Sequence, residues 1–197
     1  MNTILDYISH NPFEVIGTIL SLFYIYCSVN EKIATWIFGF SAAIFFAVVF
    51  WQSKFYAGLT LQFYYIFISI YGFWNWKFGK NKTSENQLLI IKTKKQQWLV
   101  LGLSAALIFA VYFIVLKRFT DSPVPFGDSL ATALCIVGTW MLTQKLLENW
   151  LVFIVSDGIG MALYFSQGLY FTAFLFAVYT LMAIVGFFKW RKNTNRK

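Results

Sequence analysis

The chain has 197 residues, 59% hydrophobic and only 12% charged, with a net charge of +8 and a mean hydropathy of +0.63. A soluble domain carries roughly 25% charged residues, so this composition excludes an aqueous globule and places the chain in a bilayer. The positive charge does not indicate nucleic acid, because the cations gather at the borders of apolar runs and follow no aromatic-lined groove.

A run of about 20 apolar residues crosses a bilayer as a helix, and seven such runs are predicted. The first, 13–29, opens with Glu14, a carboxylate suited to cap a helix N-terminus and favour its dipole. The second, 33–51, contains Trp36 near its start. The third, 56–76, sets Gln62, Tyr65, Ser69 and Trp76 at the 3–4 spacing of one helix face. Gln62 is the informative member, since an amide at membrane depth needs partners or a wet cavity.

The polar stretch 77–97 follows, with Lys77, Lys80, Lys82, Lys92, Lys94 and Lys95 against the single acid Glu85. The fourth run, 98–116, serves as a connecting helix. The fifth, 128–143, opens with Asp128, where packing or capping is the simpler role, and carries Trp140. Glu148-Asn149-Trp150 leads into the sixth, 149–166, either as a cap or as a gate. The seventh, 170–188, carries Tyr179.

Ionisable groups within a span cost about 2.5–3.5 kcal/mol on insertion scales and are usually functional. Asp157 is the clearest case, near the middle of the sixth run in Ser156-Asp157-Gly158-Ile159-Gly160. This polar, glycine-rich stretch predicts an interruption of the helix lining a cavity. The alternative is a protonated carboxyl bonded to a neighbouring helix. Tyr65 and Tyr179 fit core packing, and they also fit a wall that receives a flat cation.

Shifted by 114 positions without a gap, the chain matches itself. Glu14 falls on Asp128, Thr18 on Thr132, Trp36 on Trp150, Tyr65 on Tyr179, Gly72 on Gly186 and Trp76 on Trp190. Three runs repeat and one lies between, so the predicted fold is an all-α membrane protein of seven helices, 3+1+3, built as a parallel duplication. The divisions are 1–76 for the first bundle, 77–127 for the basic loop and linker helix, and 128–197 for the second bundle and basic tail.

Orientation follows from the cations. Seven crossings put thirteen Lys and Arg on one side and only Lys54, Lys117 and Arg118 on the other. The positive-inside rule then sets the N-terminus outside and the C-terminus in the cytoplasm. No Lys or Arg occurs in the first 13 residues, so a cleavable signal peptide is not expected. One histidine, His10, and two cysteines in apolar runs, Cys27 and Cys135, supply neither a metal-ligand set nor a disulfide framework. Neither a P-loop nor a clustered acid, base and metal set is present, so no catalytic residue, metal or cofactor is expected.

The stretches Phe13-Glu14-Val15-Ile16-Gly17-Thr18, Asn30-Glu31-Lys32, Phe55-Tyr56-Ala57 through Leu61-Gln62, and Tyr71-Gly72-Phe73-Trp74-Asn75-Trp76 resemble the first half of the Pnu-type vitamin transporters. Asp128-Ser129, Glu148-Asn149-Trp150-Leu151 and Gln167-Gly168-Leu169-Tyr170 resemble the second half. The resemblance spans about residues 12–190. It implies a SWEET-like duplication, a homotrimer in the bacterial inner membrane, and facilitated diffusion of an unphosphorylated vitamin trapped by cytoplasmic phosphorylation. Nicotinamide riboside and thiamine branches exist.

Nicotinamide riboside carriers tend to have Asn where this chain has Asp157, and another near Ala42. Both vitamins carry a fixed positive ring charge, and the aminopyrimidine of thiamine also offers an NH2 donor to a carboxylate. Thiamine is therefore slightly favoured, nicotinamide riboside is the alternative, and a substrate-binding subunit of a larger transporter is a remote one. The expected substrate site lies between the triplets at mid-membrane, touched by Gln62, Tyr65, Asp157 and Tyr179, with Trp140 and Asn149 nearby. Glu14, Asp128, Glu148, Trp36 and Trp150 are assigned to gating or packing.

Overall fold

Among the described residues seven helices follow in chain order: α1 Pro12–Val29, α2 Ala34–Gln52, α3 Tyr56–Phe78, α4 Lys95–Phe119, α5 Pro125–Thr143, α6 Asn149–Ser166 and α7 Tyr170–Thr194. They are seen in a computed structural model that describes residues 11–52, 56–79, 88–120, 123–168 and 170–194. Every predicted span has its helix, and the largest difference is that α7 runs to Thr194 instead of 188. Pro12 and Pro125 open α1 and α5, where a missing N–H costs nothing because that donor has no intrahelical partner. Among the described residues six helices are long and apolar enough to span a bilayer, all but α3, where Gln62, Ser69 and Asn75 dilute the apolar run.

The chain divides into two compact units, 1–80 and 81–197. In the first, α2 packs against both α1 and α3. In the second, α4 packs on α5, α5 on α6, and α6 on α7.

The repeat-related helices α1 and α5 end in the same way. Glu31 N–H donates to Ser28 O (3.1 Å) and Lys32 N–H to Cys27 O (2.9 Å). Lys145 N–H donates to Leu142 O (3.0 Å) and Leu146 N–H to Met141 O (3.1 Å), 114 positions on. This double bond pattern satisfies the last carbonyls of a helix and needs a left-handed residue after the cap. Glu31 (φ 57°) and Lys145 (φ 49°) take that conformation, uncommon outside glycine.

The repeat is also built into the packing. Trp36 meets Trp76 edge-on, with centroids 5.4 Å apart at 88°, and Trp150 meets Trp190 at 5.3 Å and 90°. A β-carbon on Gly72 would stand 2.5 Å from the Trp36 ring, and one on Gly186 would stand 2.7 Å from the Trp150 ring. Only hydrogen fits there, so each glycine lets a buried indole lie flat on a helix backbone.

A second contact is conserved in position and reversed in content. In the first unit the Tyr24 ring of α1 lies on Gly39 of α2, with its Cδ2 2.9 Å from where a β-carbon would be. In the second unit Gly138 of α5 receives the Phe153 ring of α6, at 3.0 Å by the same measure. Tyr24 is the mate of Gly138, and Gly39 of Phe153. Ring and hydrogen have changed sides.

Candidate functional site

The sixth run differs from its expectation. The stretch Ser156-Asp157-Gly158-Ile159-Gly160 does not interrupt the helix, because α6 is continuous from Asn149 to Ser166. A glycine costs about 1 kcal/mol against alanine in a helix, and within lipid no water competes for the backbone bonds it weakens. Gly160 serves packing, since a β-carbon there would meet the Phe176 ring at 2.5 Å. Among the described residues nothing lies within 4 Å of the same point at Gly158.

Asp157 is buried, 7% exposed. Among the described residues its one contact is Ser156 Oγ, which donates to Asp157 Oδ1 at 3.5 Å, beyond an ordinary O–H···O bond. The Ser156 hydroxyl also donates to Phe153 O (3.2 Å) and receives the Cys135 thiol (3.6 Å). A carboxyl held this way has acceptor capacity left over.

Residues 157, 160 and 164 fall on one face of α6 by helical spacing. There Phe176 of α7 stands 5.0 Å from the Tyr164 ring and 6.0 Å from the Tyr179 ring, and it fills the space over Gly160. The result is a wall of three aromatic rings on the helix face that carries the acid. Of the expected site residues, Tyr179 is one of these rings and Asp157 shares the α6 face with Gly160 and Tyr164. Tyr164, Phe176 and Ser156 were not singled out by sequence reasoning. Phe176 was legible in principle, as the repeat mate of Gln62.

In the first unit Gln62, Ser69 and Trp76 line the buried face of α3, at 7%, 4% and 5% exposure. The Gln62 amide makes no hydrogen bond among the described residues, whereas Ser69 approaches α2 at Gly39. Tyr65 is half-buried, with its ring 5.5 Å from Tyr64.

The remaining candidates hold other positions, with two ties to these faces: Trp36 meets Trp76 of the α3 face, and the Asp128 charge acts on Tyr164. Trp140 is 39% exposed and lines a groove with Gln96, Gln97, Val100 and Leu101 of α4. Asn149 opens α6 fully buried, its Nδ2 donating to Leu146 O and its Oδ1 without a partner among the described residues. Glu148 accepts two hydrogen bonds from Thr93, at 2.8 Å from the backbone N–H and 2.7 Å from Oγ1. Trp36 and Trp150 are fully buried in their indole pairs. Glu14 and Asp128 lie in the first turns of α1 and α5, where a carboxylate favours the dipole, while the N-cap positions belong to Asn11 and Val124.

Residues 11–192 match the family model described as nicotinamide mononucleotide transporter. The chain is 28% identical to the nicotinamide riboside transporter PnuC of Escherichia coli (strain K12), over 93% of this chain and 87% of that one. It is 22% identical to the riboflavin/roseoflavin transporter RibM of Streptomyces davaonensis, over 93% and 86% of the two chains. The crystal structure of the vitamin B3 transporter PnuC superposes with a TM-score of 0.77 at 18% identity, covering 99% of this chain and 87% of that one. At that identity the superposition establishes the fold.

Proposed function

The chain belongs to the nicotinamide mononucleotide transporter family of multi-pass membrane proteins, and from that premise we propose that it is a facilitator for nicotinamide riboside or a close vitamin. The observation that carries the reading is Asp157, a buried acid with unused acceptor capacity on the α6 face that also carries Gly160 and Tyr164, where Phe176 of α7 packs. A pyridinium ring is flat and permanently cationic. Aromatic faces attract such a ring through cation–π contact, and a carboxylate balances its charge. An amide suits the polar substituents of the same ligand, and that is the role in which the sequence sets Gln62 and Asn149, with Tyr65 one turn on from Gln62.

This reading replaces the sequence-based preference for thiamine. That preference rested on Asp157 and on the lack of a polar group near Ala42, and the relatives above are named for nicotinamide riboside and riboflavin. The SWEET-like 3+1+3 arrangement and the homotrimer belong to the reading as the resemblance implies them. No nucleotide-binding loop or chain of membrane acids is present to power uphill movement. Purified protein in liposomes should therefore equilibrate labelled nicotinamide riboside without ATP, sodium or a pH gradient. Uptake above the external concentration that depends on an imposed gradient would overturn passive transport, and uptake of thiamine alone would restore the earlier preference.

The same reading places the N-terminus outside and the C-terminus in the cytoplasm of a bacterial inner membrane. In a variant lacking Cys27 and Cys135, Lys92→Cys should react with an impermeant maleimide only from the cytoplasmic side. Labelling in intact cells would reverse the topology.

A further inference from the structure

Glu148 was expected to cap α6 or to close a gate, and it stands at the N-cap position of α6 without a side-chain cap bond. Both bonds to its Oε2 come from Thr93, 55 residues earlier in the chain. Two backbone bonds run alongside, from Ile91 N–H to Lys145 O (3.1 Å) and from Leu147 N–H to Ile91 O (2.9 Å), forming an isolated parallel bridge between Ile91 and Leu146. The segment before α4 is thereby strapped across the α5–α6 turn, within the second unit.

Under the strap the joint is dry. Lys145, Leu146 and Leu147 are 1%, 0% and 3% exposed, and Ile91 packs against a cluster of Leu101, Val137, Met141 and Leu146. The Lys145 ammonium lies over the Trp190 ring, 6.0 Å from its centroid. The equivalent turn of the first unit is chemically different. Lys32 and Ile33 occupy the positions of Leu146 and Leu147, and both are exposed. Two leucines at this border favour a cover more than a lysine and an isoleucine do.

Parting the strap would expose Leu146 and Leu147 and leave the Glu148 carboxylate without its two donors. Resting on the transport reading above, we infer that the Thr93–Glu148 strap is a permanent clamp. It fixes the α5–α6 turn to the start of α4 throughout the transport cycle, so alternation between the two sides of the membrane proceeds without this turn opening. The clamp also holds Leu146, whose carbonyl takes the Asn149 NH2 group and leaves the Asn149 oxygen as the free acceptor.

Two measurements test the clamp. In a background with Cys27 and Cys135 replaced, Ile91→Cys with Leu146→Cys puts two thiols on bridge partners, a spacing a disulfide spans. The oxidised protein in liposomes should take up nicotinamide riboside within about twofold of the reduced protein, because a step that does not move is not slowed by a lock. Arrest on oxidation, reversed by reductant, would show that the strap must open and would overturn the inference. The second measurement needs no transport. Amide exchange at Ile91 and Leu147 should be at least about tenfold faster in Thr93→Val/Glu148→Ala than in the wild type, the equivalent of one lost hydrogen bond. Equal exchange in both proteins would mean that Thr93 and Glu148 clamp nothing. Failure of uptake in reduced and wild-type protein alike would instead count against the vitamin reading, and the exchange result would still judge the clamp.

Discussion

Asp157→Asn is expected to weaken nicotinamide riboside binding by about tenfold while leaving the protein folded. The substitution keeps the shape and the contact to Ser156 and removes the negative charge. An interaction with a charged group contributes roughly 1.5–3 kcal/mol against about 1 for a neutral one, and each 1.4 kcal/mol is about tenfold in affinity. The loss should be selective. The reduced form of the same riboside has an uncharged ring, so its binding should change little, and the preference for the cationic form should largely disappear. Calorimetric titration of both forms against wild type and variant decides the matter. Equal loss for the two ligands, or none for either, would remove charge recognition from Asp157.

Trp150→Ala carries the largest expected effect on stability. Trp150 is fully buried, edge-on to Trp190 and flat over Gly186. Trp→Ala in a packed core costs about 3–5 kcal/mol, part from transfer and part from the cavity. Lipid tails are as apolar as the ring, so the transfer part shrinks and about 2–3 kcal/mol remains. Trp36→Ala should behave alike, because it removes the same ring from the first unit. Trp51→Ala is the control, at 66% exposure. Thermal unfolding in detergent should separate the two buried variants clearly from the control, and coincident melting curves would contradict the packing described.

The spans were legible because a helix in lipid must satisfy its backbone internally, and long apolar runs leave no other solution. The 114-residue offset matched Trp36 with Trp150 and Trp76 with Trp190, so it showed that the indoles recur, while the contacts of Trp36 with Trp76 and of Trp150 with Trp190 were seen only in the fold. Asp157 stood out for its cost at mid-span. Its surroundings were misread, because glycines beside it suggested a broken helix. Their spacing instead admits the Phe176 ring at Gly160, and that depends on what α7 places opposite. The Thr93–Glu148 contact was invisible for a related reason. Periodicity reports which face of a helix is buried, and it is silent about a loop residue 55 positions away.

The reversed contact of Tyr24 on Gly39 and Phe153 on Gly138 bears on how a duplicated chain assembles correctly. Two similar triplets made in succession face a hazard that a single bundle does not: a helix can join the wrong sibling as it emerges. Were α1 to pair with α6, Tyr24 would meet Phe153, ring against ring. Were α5 to pair with α2, Gly138 would meet Gly39, and a hole would open where a ring belongs. Both errors are penalised, one by collision and one by void. Either correct partner alone would tolerate the opposite choice of ring and hydrogen. The reversal therefore gives each half a means of recognising its own helices, although the two descend from one pattern.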